Sequence, residues 1–283
     1  MQSPKYLPVI KSDYADKLDW FWLSTHPKLI PILEENQDKV DWAGLTLNPN
    51  ALPILEEMLE ESEDNIDWYG LSANPNAMHL LEKHQHRIRW NAISENPNAM
   101  SFIENNLKKV NWMYLSQNPN ALSILEKHPD KISWYFLSGN PNAMDLLKNN
   151  LDKVHWGMLS KNPNATDLLE QNPEKIDWCM LSTNPNAMHI LEKNPDKIHW
   201  YWLSTNPNAV DLLKKNPYKI DLDMLSQNPN IMEIICDLDY NAMKRSMQPF
   251  AEELARYVFH PLYMDRIAKK NNISFDVLTN EIY

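Results

Sequence analysis

Glycine is scarce in this chain, with 4 residues in 283. Rossmann turns and P-loops need glycine where backbone must approach phosphate, and neither pattern occurs. Cysteine is scarcer still: Cys179 and Cys236 cannot make a disulfide framework or a cysteine-based zinc site, and they fit a reducing compartment. Basic residues are outnumbered, 27 Lys and Arg against 38 Asp and Glu, for a net charge of −11 and a pI near 5.3. That balance argues against nucleic acid or an anionic membrane as the main partner. Apolar runs fall short of membrane-spanning length, and Met1-Gln2-Ser3-Pro4-Lys5 carries no signal-peptide core. The expectation is a soluble intracellular chain, and its 43% hydrophobic content is enough to bury a core.

What is abundant has an order. Trp20, Trp42, Trp68, Trp90, Trp112, Trp134, Trp156, Trp178 and Trp200 recur every 22 residues, with one gap of 26, and Leu222 takes the tenth place. The same phrase follows each, as in Trp112-Met-Tyr-Leu-Ser-Gln-Asn-Pro-Asn-Ala121. A fixed period over ten units is the signature of a solenoid.

The unit can be read physically. The first Asn of Asn-Pro-Asn precedes proline and is pushed out of helical geometry, the place for an N-cap with proline in the first turn. Ala121, Ile124, Leu125 and His128 then fall on one face of a helix. A second proline, such as Pro129, Pro173, Pro195 or Pro217, stops it. Asp41, Asp67 and Asp177 are caps for a second, shorter element that starts at Trp. This predicts one helix of about ten residues and a second of one or two turns, α or 3₁₀ in kind. Such pieces are too short to persist alone, so neighbours supply the missing face. The predicted fold is an all-α solenoid of about ten repeats, an elongated and curved body. Residues 1–19 read as a capping half-repeat, 20–241 as the solenoid and 242–283 as a helical cap.

The phrase Trp-x-x-Leu-Ser-x-Asn-Pro-Asn-Ala resembles tandem-repeat proteins of giant DNA viruses, and Phe250-x-Glu-Glu-Leu-x-x-Tyr-Val-x-His-Pro261 is similar to their closing segment. The unit is also distantly similar to leucine-rich repeat variants. The resemblance implies an all-α solenoid in the host cytoplasm or the virion and carries over no catalytic residue.

Candidate chemistry is thin. Gly-x-Ser-x-Gly, His-Glu-x-x-His and the kinase set are absent, so neither catalysis nor a cofactor is expected. His79 and His84 are five apart, unlike a helical zinc pair, and His84 reads as a helix-end group. Recurrent Asn-Pro-Asn reads as local capping rather than a partner-binding amide ladder. The Trp column reads as core, and Lys131, Lys175 and Lys197 as solvated charge or weak inter-repeat pairs. The 26-residue unit reads as a loop extension or as an acidic docking spot, with Glu56, Glu57, Glu60, Glu61, Glu63 and Asp64.

The informative positions are the ones the repeat leaves free. These are the two residues after Trp and the residue before Asn-Pro (Ala73, Glu95, Gln117, Gly139, Lys161, Thr183). Among them Tyr69, Tyr114, Tyr135, Phe136, Tyr201 and Trp202 are the candidate partner-binding residues, aromatic anchors of the kind interfaces favour. The alternative is that they pack between repeats. The function expected is a protein–protein interaction scaffold. A structural role in a virus particle is the alternative, and an RNA-reading array is disfavoured by the acidic charge.

Overall fold

A computed structural model describes residues 17–237 and the short strand Val9–Ile10. Contacts group the chain into Ile10–Cys236 and a second unit of Met1–Val9 with Asp237–Tyr283. The half-repeat expected at 1–19, apart from its last residues, and the cap expected at 242–283 lie outside the described residues. The fold is all-α, a solenoid of short helices in tandem. A two-residue ladder between Val9–Ile10 and Cys236–Asp237 is the one extended pairing among the described residues.

Each repeat has a first helix beginning at the Trp position, an Asn-Pro-Asn turn, a second helix and, in most repeats, a 3₁₀ turn. In repeat 5 these are Trp112–Gln117, Leu122–Lys127 and Pro129–Lys131. The expected ten-residue helix is thus shorter, because the second proline opens a 3₁₀ turn rather than merely ending the helix. Capping of the first helix follows the sequence: Asp41, Asp67 and Asp177 accept from first-turn amides, and His155 does so through Nδ1.

Asn-Pro-Asn departs from its local reading. The first Asn ends the first helix in extended geometry, as a residue before proline must. Its Oδ1 accepts from the amide two residues on, an Asx turn (Asn50 N–H to Asn48, 3.0 Å). Its Nδ2 donates backward into the preceding repeat, from Asn48 to the Ser24 and His26 carbonyls at 3.0 and 2.8 Å. Asn162 bonds the Ser138 and Asn140 carbonyls in the same way. These amides are buried and are the rivets between repeats. The second Asn adds an outer link, as when Asn164 donates to the Pro141 carbonyl at 2.8 Å.

Serine completes the junction. Ser24 Oγ donates to the Trp20 carbonyl and accepts from the Asp41 amide of the next repeat, 3.0 Å away. The bond recurs along the array except where Thr46 replaces Ser and turns to the Ala43 carbonyl. Among the described residues no buried side-chain nitrogen or oxygen lacks a partner. Leu at the fourth position, Ala after the turn and Leu in the second helix (Leu115, Ala121 and Leu125 in repeat 5) are fully buried. They join neighbouring repeats into one continuous band.

The Trp column is less buried than its periodicity suggests. Trp68 is 4% exposed, Trp42 is 48% exposed, and most of the others are half-buried. A cation from the same repeat covers the outer ring face: Lys175 lies 4.4 Å over Trp156 and Lys197 4.5 Å over Trp178. These lysines are stacked rather than simply solvated, whereas Lys131 pairs with Asp130. Repeat 2 has Asn65 in the lysine slot, and its Trp42 is the exposed one.

The array is not an open, elongated rod. The Asp19 amide donates to Ser226 Oγ at 3.0 Å, the same bond that joins each repeat to the one before it. His26 stands in the slot of the ladder asparagines, and its Nε2 meets the Ser226 carbonyl at 2.7 Å. Lys28, in the slot of the second Asn, donates to Asn230 Oδ1 at 3.2 Å. Repeat 1 therefore docks on repeat 10 as any repeat docks on its predecessor, and the array closes into a ring.

Candidate functional site

Closure gives the ring an inner and an outer wall, and sequence position decides which residues face each. First helices of successive repeats pack on one another at seven of the ten junctions, whereas among second helices only those of repeats 9 and 10 pack comparably. The first helices are therefore the crowded, concave side. In a first helix the Trp, the fourth and the fifth residues point to the buried band. The second, third and sixth lie on the opposite stripe by helical geometry. Glu95 and Lys161 are the sixth residues of repeats 4 and 7 on this stripe.

The concave wall is uneven. In repeats 2 and 3 the third residue is Gly44 and Gly70, where a Cβ would run into the Phe21 carbonyl and into Thr46 Oγ1. From repeat 5 onward that place holds Tyr114, Phe136, Met158, Met180, Trp202 and Met224.

All six aromatic residues singled out from the sequence lie on this stripe. Tyr69, Tyr135 and Tyr201 are second residues, 43–48% exposed. Tyr114, Phe136 and Trp202 are third residues and half-buried. Tyr114 and Phe136 lie with ring centroids 5.8 Å apart, and Tyr135 meets Phe136 edge-on at 5.2 Å. Tyr135 also leans on His155 at 4.5 Å. Tyr201 and Trp202 form a separate edge-to-face pair at 5.1 Å. Between the two groups stand Gly157, Met158, Cys179 and Met180, so these five aromatics make two patches rather than one continuous stripe, and Tyr69 stands apart beyond Asn91 and Ala92. Met113, 51% exposed, extends the first patch and was not among the residues read from sequence.

Glu95 and Lys161 stand among the variable residues before Asn-Pro, but they lack the aromatic character that marks an interface anchor in sequence. Burial raises the Glu95 carboxyl above the usual carboxylate range, and Lys161 opposes that. Burial lowers the Lys161 ammonium, opposed by Glu95. Tyr69 is raised by burial first, then by Tyr114, Glu95 and Asp67.

The acidic insertion belongs to a different place. Its four extra residues lengthen the second helix of repeat 2 to Leu52–Glu61, so the extension is helical rather than a loop. Glu56 bonds His79 at 2.9 Å; Glu63 bonds His84 at 2.9 Å and Arg87 at 3.0 Å, and Asp64 bonds Arg87 at 2.9 Å. The Arg87 hydrogen bond, then that of His84, holds the Glu63 carboxyl below its usual range against the effect of burial. The next repeat supplies the basic groups that these carboxylates meet. His84 ends its helix, as the sequence reading placed it. Among the described residues no group of three or more His, Cys, Asp or Glu side chains is arranged to hold a metal ion. None of the described helices is long and apolar enough to cross a membrane. No protein-family model matches the chain, and neither curated proteins nor solved structures show a similar one.

Proposed function

We propose that the chain is a non-enzymatic interaction scaffold that grips a protein partner on its concave wall through Tyr69, Tyr114, Tyr135, Phe136, Tyr201 and Trp202. One observation carries the reading: large aromatic side chains stand half-exposed where the repeat frame does not require them. Rigid aromatic area at low entropic cost is what protein interfaces use as anchors. The wall is nearly free of charge, which suits an apolar polypeptide segment and gives phosphate little to neutralise it. The test is a peptide-display selection on the whole chain, compared with a variant carrying Tyr69→Ala, Tyr135→Ala and Tyr201→Ala. Sequences enriched on the parent and lost on the folded variant are expected. Enrichment that ignores the three substitutions would remove the reading.

A further inference from the structure

Seven of the nine tryptophans that head the repeats carry a cation of their own repeat over the ring, 4.3–5.9 Å from its centroid. Six of these cations are lysines and one is Arg87. Trp112 instead meets the His128 ring edge-on at 5.1 Å. Trp42 has neither cover among the described residues, and it is the most exposed of the column. Two residue choices strip its repeat of positive charge. Asn65 holds the slot of Lys39 and Lys197, and Glu57 stands where repeats 3, 5, 8 and 9 have Lys83, Lys127, Lys193 and Lys215.

Trp42 borders a cleft of about 270 Å³ at the junction of repeats 1 and 2. Leu33, Leu45 and Ile54 line it with Glu34 and Glu57. Glu56 and Glu63 of the same acidic segment are tied to His79 and Arg87. The Glu34 and Glu57 carboxylates have no hydrogen-bond or ion-pair partner among the described residues. Residues 30–65 hold ten Asp and Glu against Lys39 alone, and Lys39 lies over Trp20.

An indole face, an apolar lining and two free carboxylates suit an ammonium carried on an aliphatic stem. The other repeats show the matching group, a lysine side chain laid on the ring. We propose that the Trp42 cleft is a docking site for a lysine side chain of a basic polypeptide partner. Its ammonium stands over the indole beside Glu34 and Glu57, and its methylenes lie on Leu33 and Ile54. Repeat 2 thereby takes from a partner the cation that seven other repeats supply themselves. The cleft contains none of the six aromatics of the concave stripe, so this site and the concave-wall reading can fail separately.

The experiment is a fluorescence-polarisation titration of the full chain with a labelled alternating Ala-Lys heptapeptide. The same peptide with norleucine for lysine keeps the stem and removes the charge. The lysine peptide is expected to bind about tenfold or more tightly. Trp42→Leu keeps both carboxylates and should weaken the lysine peptide about tenfold. Asn65→Lys keeps the ring and both carboxylates, supplies the cation from within, and should weaken binding as much. Glu34→Gln with Glu57→Gln should weaken it too. The variant with Tyr69→Ala, Tyr135→Ala and Tyr201→Ala should bind as the parent does. Free n-butylammonium should displace the peptide only at far higher concentration. No binding of the lysine peptide or equal binding of the two peptides would overturn the proposal. So would binding indifferent to Trp42→Leu or to Asn65→Lys, loss in the triple variant, or displacement by n-butylammonium at the concentration of the peptide itself.

Discussion

His26 Nε2 lies 2.7 Å from the carbonyl oxygen of Ser226, 200 residues away in sequence. The carbonyl only accepts, so the imidazole donates from Nε2. At the other junctions an asparagine donates two such bonds, as Asn228 does to the Ser204 and Asn206 carbonyls. The junction of repeats 10 and 1 thus carries the ring's own variation of the ladder, built on a titratable group.

That junction predicts acid sensitivity. Burial is the main cause that holds the His26 imidazole below its usual range, with Lys28 adding to it and the Ser226 bond opposing. The flanking turns, Gln227–Asn230 and Leu47–Asn50, bear no ionisable side chain, and Asp19, whose amide bonds Ser226 Oγ, brings a carboxylate to the same junction. With a folded-state pKa below the unfolded value of about 6.5, the unfolded or opened form binds the proton more readily. Stability is full above the unfolded value and falls as pH drops toward the folded one, below which the loss levels off. Melting followed from pH 8 to pH 4.5 should show this loss, and His26→Asn should flatten it. An identical pH profile for the two proteins would refute the assignment.

The asparagine ladder predicts unequal costs within one motif. Asn162→Ala removes two buried donors and strands the Ser138 carbonyl, for a loss of roughly 2–4 kcal/mol. Asn164→Ala removes one exposed bond and should cost about 1 kcal/mol or less. Urea denaturation of the two variants decides between this and the local capping account, in which both would be mild.

The inner wall at repeats 1 and 2 leaves no room for a side chain. Gly44→Ala sets a methyl group against the Phe21 carbonyl, a backbone atom that cannot swing away. A loss of about 1–3 kcal/mol is expected from overpacking. Ala43→Leu, one residue earlier and exposed, should be nearly neutral. Differential scanning calorimetry would read both.

Tryptophans that look equivalent in sequence should differ in weight. Trp68→Ala removes a buried ring whose Nε1 donates to the Glu63 carbonyl at 3.0 Å, and it should cost about 3–5 kcal/mol. Trp42 is half exposed and has no cation above it among the described residues, so Trp42→Ala should cost less than half as much. Equal losses in chemical denaturation would mean that exposure is a poor guide here.

Much of the fold was legible because it is local and repeated. Helix starts at Asp41, Asp67 and Asp177 follow from the reach of a carboxylate to the first free amides. Extended geometry before each proline follows from sterics. Burial of Leu115, Ala121 and Leu125 follows from helical spacing. The Asn-Pro-Asn reading was half right, because Oδ1 acts within two residues whereas Nδ2 acts on the neighbouring repeat. Periodicity counts a side chain once and does not separate its two ends. The lysines at 175 and 197 were read as solvated for a similar reason: their charge is visible in sequence, but the ring beneath it is not.

The sequence by itself determined the repeat, its period, the helical class and the set of positions free to vary. Only the tertiary structure decided that the array closes, because closure depends on small rotations per repeat that add up around the ring. First helices pack more closely than second helices do, and that difference turns each repeat relative to the last. The substitution of His26-Pro27-Lys28 for Asn-Pro-Asn stood in the sequence as a mark of the joint, but its meaning required Ser226 beside it. Closure also set the direction of the variable residues. It turned Tyr69, Tyr135, Glu95 and Lys161, scattered along the chain, toward a shared interior.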